Sequence, residues 1–246
     1  MEEVVIVAGG LGIRLEEMQK EIPKTLLRVG GKTILDCIIA TIEDATKGKY
    51  RLFIAAGYYY DDLKSYIEER ESKYSRVDVV EARNWMEGNA STLLAVEDRI
   101  ENDDFILQMS DHLFTPETYK GCIKNTSIPL PFVCGQPRTD GIPDYLDLDD
   151  ATKVLSDDSF KIIEIGKDIE EWNMIDMGVF RLTKDAFSVI ASLPNNQKSL
   201  SQYVMKWRSK QDFYVNPQPQ AIWKDIDTPM DLQWAIKMDL QGIWKS

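Results

Sequence analysis

The sequence predicts an α/β fold with a mixed, mostly parallel central sheet flanked by helices. Three observations carry that expectation. First, apolar runs of strand length recur through the first half of the chain: Glu3–Ala8, Arg51–Ala56, Val77–Glu81, Asp104–Met109 and Leu130–Cys134. Second, stretches with helical periodicity fall between them: Thr33–Thr46, Tyr60–Lys73, Ser91–Ile100 and Pro116–Lys124. Such βαβα alternation implies parallel strands covered on both faces. Third, the connections shorten after about residue 140, where "DYLDLDD", "FKIIEIGK" and "NMIDMGVFRL" read as strands of a partly antiparallel extension. Helices are expected over Thr183–Leu193 and Leu200–Ser209. The closing "QAIWKDIDTPMDLQWAIKMDL" reads as strand, turn and helix, with Thr228 as N-cap and Pro229 at the first helical position.

The length of 246 residues suits a single domain spanning 1–246 with a sizeable core, and there is no internal repeat, low-complexity tract or evident linker. A net charge of −12, from 29 basic and 41 acidic residues, argues against a nucleic-acid surface. It leaves room for small anionic substrates, which need only a local basic pocket or a metal ion. No apolar run approaches the roughly 20 residues of a membrane-spanning helix, so no direct membrane insertion is expected. The acidic start Met1-Glu2-Glu3 is unlike a signal peptide, and a cytoplasmic location is the expectation. Cys37, Cys122 and Cys134 are scattered and read as small buried residues, without disulfide or zinc spacing.

The first chemical signal is "VVIVAGGLGIRL", a strand breaking into a glycine-rich turn. A dinucleotide fingerprint fails, because Leu15 stands where the last glycine of GxGxxG is needed. A Walker loop at Gly31-Lys32-Thr33 fails too, with Leu26 in place of its first glycine. What remains is an anion-binding nest over Ala8, Gly9, Gly10, Leu11 and Gly12, whose backbone N–H groups can approach phosphate oxygens. Arg14 and Lys24 add two cations within reach of it.

Carboxylates form the second signal. Asp111 follows the strand Asp104–Met109, while Asp225 and Asp227 follow the strand through Trp223. If both strands run parallel to Glu3–Ala8, these carboxylates share the sheet edge with the glycine turn, where open α/β sheets bind ligands. Paired carboxylates together with substrate phosphates are the usual way to hold Mg²⁺. The sequence leaves the choice between Asp225 and Asp227 open. His112, the single histidine, has no triad partners and is expected to pack or hydrogen-bond locally. A phosphate monoester, with a second pKa of about 6, is its own nucleophile and needs no protein base. Positioning and charge stabilisation by Arg14, Lys24, Lys167, Asp111 and Asp225 would suffice.

With these residues in place, the chain resembles the sugar-phosphate nucleotidylyltransferase superfamily over nearly its whole length. The resemblance rests on "VAGGLGIRL", "EIPKTLLRVGGKTIL" and "WKDIDTPMDL". It implies a Rossmann-like nucleotidyltransferase fold, Mg²⁺, and a reaction of a nucleoside triphosphate with a phosphorylated small molecule that releases pyrophosphate. A narrower resemblance, through "MSDHLF", "DLDDATKV" and "IIEIGKDIEEWNMIDMGVFRL", is to inositol-1-phosphate cytidylyltransferases. It implies CTP as donor and inositol 1-phosphate, or a similar phosphoalcohol, as acceptor. Under it Gly10, Gly12 and Arg14 hold the triphosphate and Lys24 lies near the α-phosphate. Gly88 and Asn89 face the base, Lys167, Asn173 and Asp176 line the acceptor site, and Asp111 with Asp225 binds Mg²⁺. Any membrane CDP-alcohol phosphotransferase acting downstream is expected to be a separate protein. Two other readings stay open: a uridylyl-, guanylyl- or thymidylyltransferase making an NDP-sugar, and a non-catalytic nucleotide-sensing subunit.

Overall fold

The computed structural model describes residues 1–11, 22–124, 127–195 and 197–244. Gly12 and Arg14, expected at the phosphate loop, lie outside the described residues. In chain order the main elements are β1 (Glu2–Ala8), α1 (Ile34–Thr46), β2 (Tyr50–Ala56), α2 (Tyr60–Glu68), β3 (Val77–Glu81) and α3 (Asn89–Leu93). Next come β4 (Asp104–Met109), β5 (His112–Phe114), α4 (Pro116–Lys124), β6 (Phe132–Pro137), β7 (Lys153–Ser156) and β8 (Ile162–Gly166). The chain closes with β9 (Met174–Thr183), α5 (Asp185–Ala191), α6 (Leu200–Arg208), β10 (Tyr214–Pro217), β11 (Trp223–Asp225) and α7 (Pro229–Leu240).

Nine strands of the described residues form one sheet, with the path β8-β7-β9-β4-β1-β2-β3, β6 branching from β9 and β10 pairing with β6. The run β4-β1-β2-β3 is parallel throughout, whereas β9 lies antiparallel to β4. The mixed, mostly parallel sheet inferred from the sequence is therefore present. Alternation along β1 sends Val4 and Ile6 into a core with α1, α4 and α7, and Val5 and Val7 into a core with α3, α5 and α6. Both faces of the strand are buried, which explains its unbroken apolar run.

Local chemistry sets the helix limits. Thr33 and Asp36 form a capping box at the start of α1, and Lys47 ends it in the left-handed region at φ 54°. Thr228 and Asp231 do the same for α7, with Pro229 in its first turn as the sequence indicates.

Several expectations need correction. "DYLDLDD" is a series of turns: the Asp147 carboxylate accepts from Asp149 N–H, and its carbonyl from Ala151 N–H, so local bonds replace a ladder. The stretch Ser91–Ile100 is a short α3 followed by 3₁₀ turns over Leu94–Arg99. Helix α2 stops at Glu68, short of Lys73. The strand before Asp225 is not a parallel member of the main sheet. It is β11, antiparallel to β5 in a separate two-stranded pair. Cys37, Cys122 and Cys134 are buried free thiols.

Candidate functional site

The site begins where β1 and β4 end. These strands are parallel, with Val7 opposite Met109, so Gly9–Leu11 and Ser110–Asp111 leave the sheet at the same edge. Close packing explains the glycines there. A Cβ on Gly9 would stand 2.4 Å from Thr92 Oγ1, and one on Gly57, just past β2, would stand 2.5 Å from the Gly9 carbonyl. Gly88 has φ +131°, and a Cβ there would meet the Lys198 carbonyl at 2.3 Å. Gly10, by contrast, faces open space. Above this floor lies a cavity of about 450 Å³, lined by Ala8, Gly9, Gly10, Leu11, Lys24, Gly88, Asn89, Asp111 and Asp227 among others.

Lys24 ties the edge together. It opens a 3₁₀ turn, Lys24–Leu26, and its ammonium donates to Asp111 Oδ2 at 2.7 Å and to Asp227 Oδ1. Burial alone would lower its pKa, but Asp111 and Asp227 raise it above the ordinary lysine value. Burial opposes ionisation of Asp111 as well. The Lys24 ammonium and His112 overcome this and hold the carboxyl well below the usual range. Two carboxylates that close on one ammonium can also close on one oxygen-seeking cation, so the pair fits a hard dication completed by substrate oxygens and water. Among the described residues no cluster of three or more ligating side chains exists.

A second cavity, of about 150 Å³, adjoins the first and shares Met109, Asp111 and Asp227 with it. His112, Asp147, Asp150, Lys167, Asp176 and Asp225 also line it. His112 Nδ1 bonds Asp111 Oδ1 at 2.6 Å, and its ring stacks 5.5 Å from Trp223 at 10°. Gly178, at φ +69°, leaves room for that ring, since a Cβ would approach it to 2.9 Å. Burial disfavours the His112 charge, but Asp111 raises its pKa. The histidine is thus a packed partner of Asp111, as the absence of triad residues indicates.

Lys167 donates to Asp150 Oδ1 at 2.5 Å. Asp176 accepts the Gly178 N–H at 2.7 Å, and burial pushes its carboxyl up to about 6. Asn173, expected beside the acceptor, is not among the lining residues. Its amide bonds both backbone groups of Ser156, at 3.0 Å and 2.8 Å, and fastens β9 to β7. Asn89 lines the first cavity, with its Oδ1 accepting from Leu200 N–H at 2.9 Å. Asp225 and Asp227 both line the second cavity; the fully buried Lys224 ammonium donates to Asp225 at 2.9 Å and to Asp231 at 2.5 Å.

Sequence reasoning missed Thr25, Tyr59, Trp85 and Thr92 in the first cavity, and Asp147 and Asp150 in the second. Thr25 Oγ1 and Thr92 Oγ1 are buried without a hydrogen-bond partner among the described residues. Thr25 lies in "EIPKTLL" next to Lys24 and Thr92 in the short helix α3, but neither hydroxyl carries a spacing that singles it out. "DLDDATK" held the one available signal, an acidic run read as strand.

A model of the MobA-like NTP transferase domain matches residues 4–138. The chain is 28% identical, over 95% of its length, to the bifunctional IPC transferase and DIPP synthase of Archaeoglobus fulgidus, and covers 43% of that protein. The Aquifex aeolicus protein of the same name is 25% identical over 99% of the chain and 54% of that relative. The chain thus spans about half the length of these curated relatives. Among solved structures, the inositol-1-phosphate CTP transferase from T. maritima superposes with a TM-score of 0.79 at 26% identity, covering 96% of both chains. An apo UDP-glucose pyrophosphorylase reaches the same TM-score at 15% identity and shares the fold. No helix among the described residues is long and apolar enough to cross a membrane.

Proposed function

Because the chain belongs to the MobA-like NTP transferase domain family, we propose that it transfers a cytidylyl group from CTP to a small phosphorylated polyol such as inositol 1-phosphate. The observation that carries this reading is the meeting of Lys24, Asp111 and Asp227 where two cavities join. The larger cavity, floored by the glycine turn, suits the triphosphate, and the smaller suits the acceptor. The likeness to the T. maritima CTP transferase over 96% of both chains supports CTP as donor.

In this reading a phosphate oxygen of the acceptor attacks the α-phosphorus of CTP. A new P–O bond forms, the bond from the α-phosphorus to the bridging oxygen of the β-phosphate breaks, and pyrophosphate leaves with that electron pair. The acceptor phosphate is already largely deprotonated at neutral pH, so no side chain has to remove a proton. The Gly9–Leu11 backbone orients the triphosphate, and Lys24 offsets charge building at the α-phosphate. Lys167 draws the acceptor phosphate inward, exchanging its bond to Asp150 for that anion. Mg²⁺, when bound, would neutralise the triphosphate and leaving pyrophosphate, with Asp111 and the Asp225–Asp227 turn carrying the carboxylates that would hold it.

The test is a matrix of nucleoside triphosphates against phosphorylated polyols and sugars, with Mg²⁺ present and pyrophosphate release followed. Turnover is expected with CTP and inositol 1-phosphate. Turnover confined to UTP and glucose 1-phosphate would replace this reading with an NDP-sugar synthesis. No turnover with any pair, despite nucleotide binding, would favour a sensing subunit.

A further inference from the structure

The larger cavity contains one feature that phosphate binding does not use. Trp85 opens a 3₁₀ turn, Trp85–Glu87, directly before Gly88 and Asn89, and its half-buried side chain lines the cavity. Its base rests on two glycines. A Cβ on Gly57 would stand 2.5 Å from Trp85 Cγ, and one on Gly9 would stand 3.1 Å from Trp85 Cβ. The ends of β1 and β2 therefore leave space that the tryptophan fills. Tyr58 also meets the indole in a T-shaped contact, 6.0 Å between centroids at 74°. The indole is thus packed against the two glycines and Tyr58 and remains partly open to the cavity.

A triphosphate seated on Gly9–Leu11 and Lys24 directs its nucleoside towards the rest of the lining, where Trp85, Met86, Gly88 and Asn89 lie. The Asn89 side-chain oxygen is already engaged by Leu200 N–H, which limits what it can offer a base edge. A planar, partly exposed and immobilised indole is suited to the face of a base, since stacking on an aromatic needs no particular hydrogen-bond pattern. We propose that the Trp85 indole is the platform on which the nucleobase stacks, making it a determinant of nucleotide affinity separate from the phosphate loop. This rests on the larger cavity being the nucleoside triphosphate pocket.

Calorimetric binding of CTP and of inorganic tripolyphosphate, at fixed free Mg²⁺, separates base from phosphate contacts. Trp85→Leu keeps the packing on Gly57 but removes the flat face, and Trp85→Phe keeps a flat face. For Trp85→Leu the Kd for CTP is expected to rise about 10-fold to 100-fold, while that for tripolyphosphate changes less than about 2-fold. Trp85→Phe is expected to recover most of the CTP affinity. The proposal is overturned if Trp85→Leu binds CTP like wild type, or if both ligands weaken in parallel in both variants. Should wild-type protein bind CTP no better than tripolyphosphate, the nucleotide reading itself fails, and that result needs no variant.

Discussion

Lys24 and Asp111 stand 87 positions apart in the chain and meet at 2.7 Å between Nζ and Oδ2, within a buried corner that Asp227 also reaches. This ammonium marks where cationic and anionic parts of the site converge, and it joins three segments far apart in the chain. Removing either charge unbalances a buried network in which Lys24 keeps only Asp227 or Asp111 keeps only His112, which costs more than the pair contributes.

Asp111→Asn is accordingly expected to lower turnover about 100-fold or more, comparable with loss of a charge-stabilising group, while leaving the chain folded. Pyrophosphate release and circular dichroism check the two halves of that statement. Near-wild-type activity at ordinary Mg²⁺ would remove Asp111 from the metal set.

The carboxyl of Asp176 supplies a pH signature. Burial raises its pKa from 3.8 to about 6, so between these values the folded chain binds more protons than the unfolded one. This group's contribution to stability therefore declines as pH rises through that window. Asp176→Asn keeps the acceptor for Gly178 N–H. Thermal melts are expected to show a higher Tm than wild type above pH 6 and a flatter profile from about pH 4 to 6.

Asp36 has the opposite sign. Burial by itself would raise its pKa, but bonds from Tyr74, Thr33 N–H, Lys73 and Tyr66 lower it from 3.8 to about 2. The stability it confers is present above its unfolded pKa and is lost as pH falls from about 4 to 2. Asp36→Ala also removes half of the α1 capping box, and urea unfolding at pH 7 is expected to show a loss of about 1–2 kcal/mol.

Lys224 is fully buried between Asp225 and Asp231. Lys224→Met would leave two carboxylates facing each other at the start of α7, at a cost of about 3–5 kcal/mol. A fall of this size in chemical denaturation identifies the lysine as the counter-charge for that turn. A neutral result would show that the carboxylates relax into solvent.

Much of this molecule was legible from sequence because the signals are local. The strands Val77–Glu81 and Asp104–Met109 and the helix Pro116–Lys124 have the bounds their apolar patterns indicate. Thr228 and Asp231 start α7 through side chains three residues apart, with Pro229 between them. The turn through "DYLDLDD" and the short strands β7 and β10 were not legible. In the first, aspartates compete for backbone N–H groups; the other two are only four residues each and take their pairing from neighbours.

Periodicity and backbone freedom over a few residues are enough to specify a mixed, mostly parallel α/β sheet, a glycine turn at the end of its first strand, and carboxylates after later strands. The partners of those groups were set by packing between distant segments. That packing brought Asp227 to Lys24 by an antiparallel pair outside the main sheet, turned Asn173 onto the Ser156 backbone, and placed Trp85 over two glycines at the cavity wall. Those outcomes depend on how segments far apart in the chain cross one another, and no local pattern of side chains encodes that crossing.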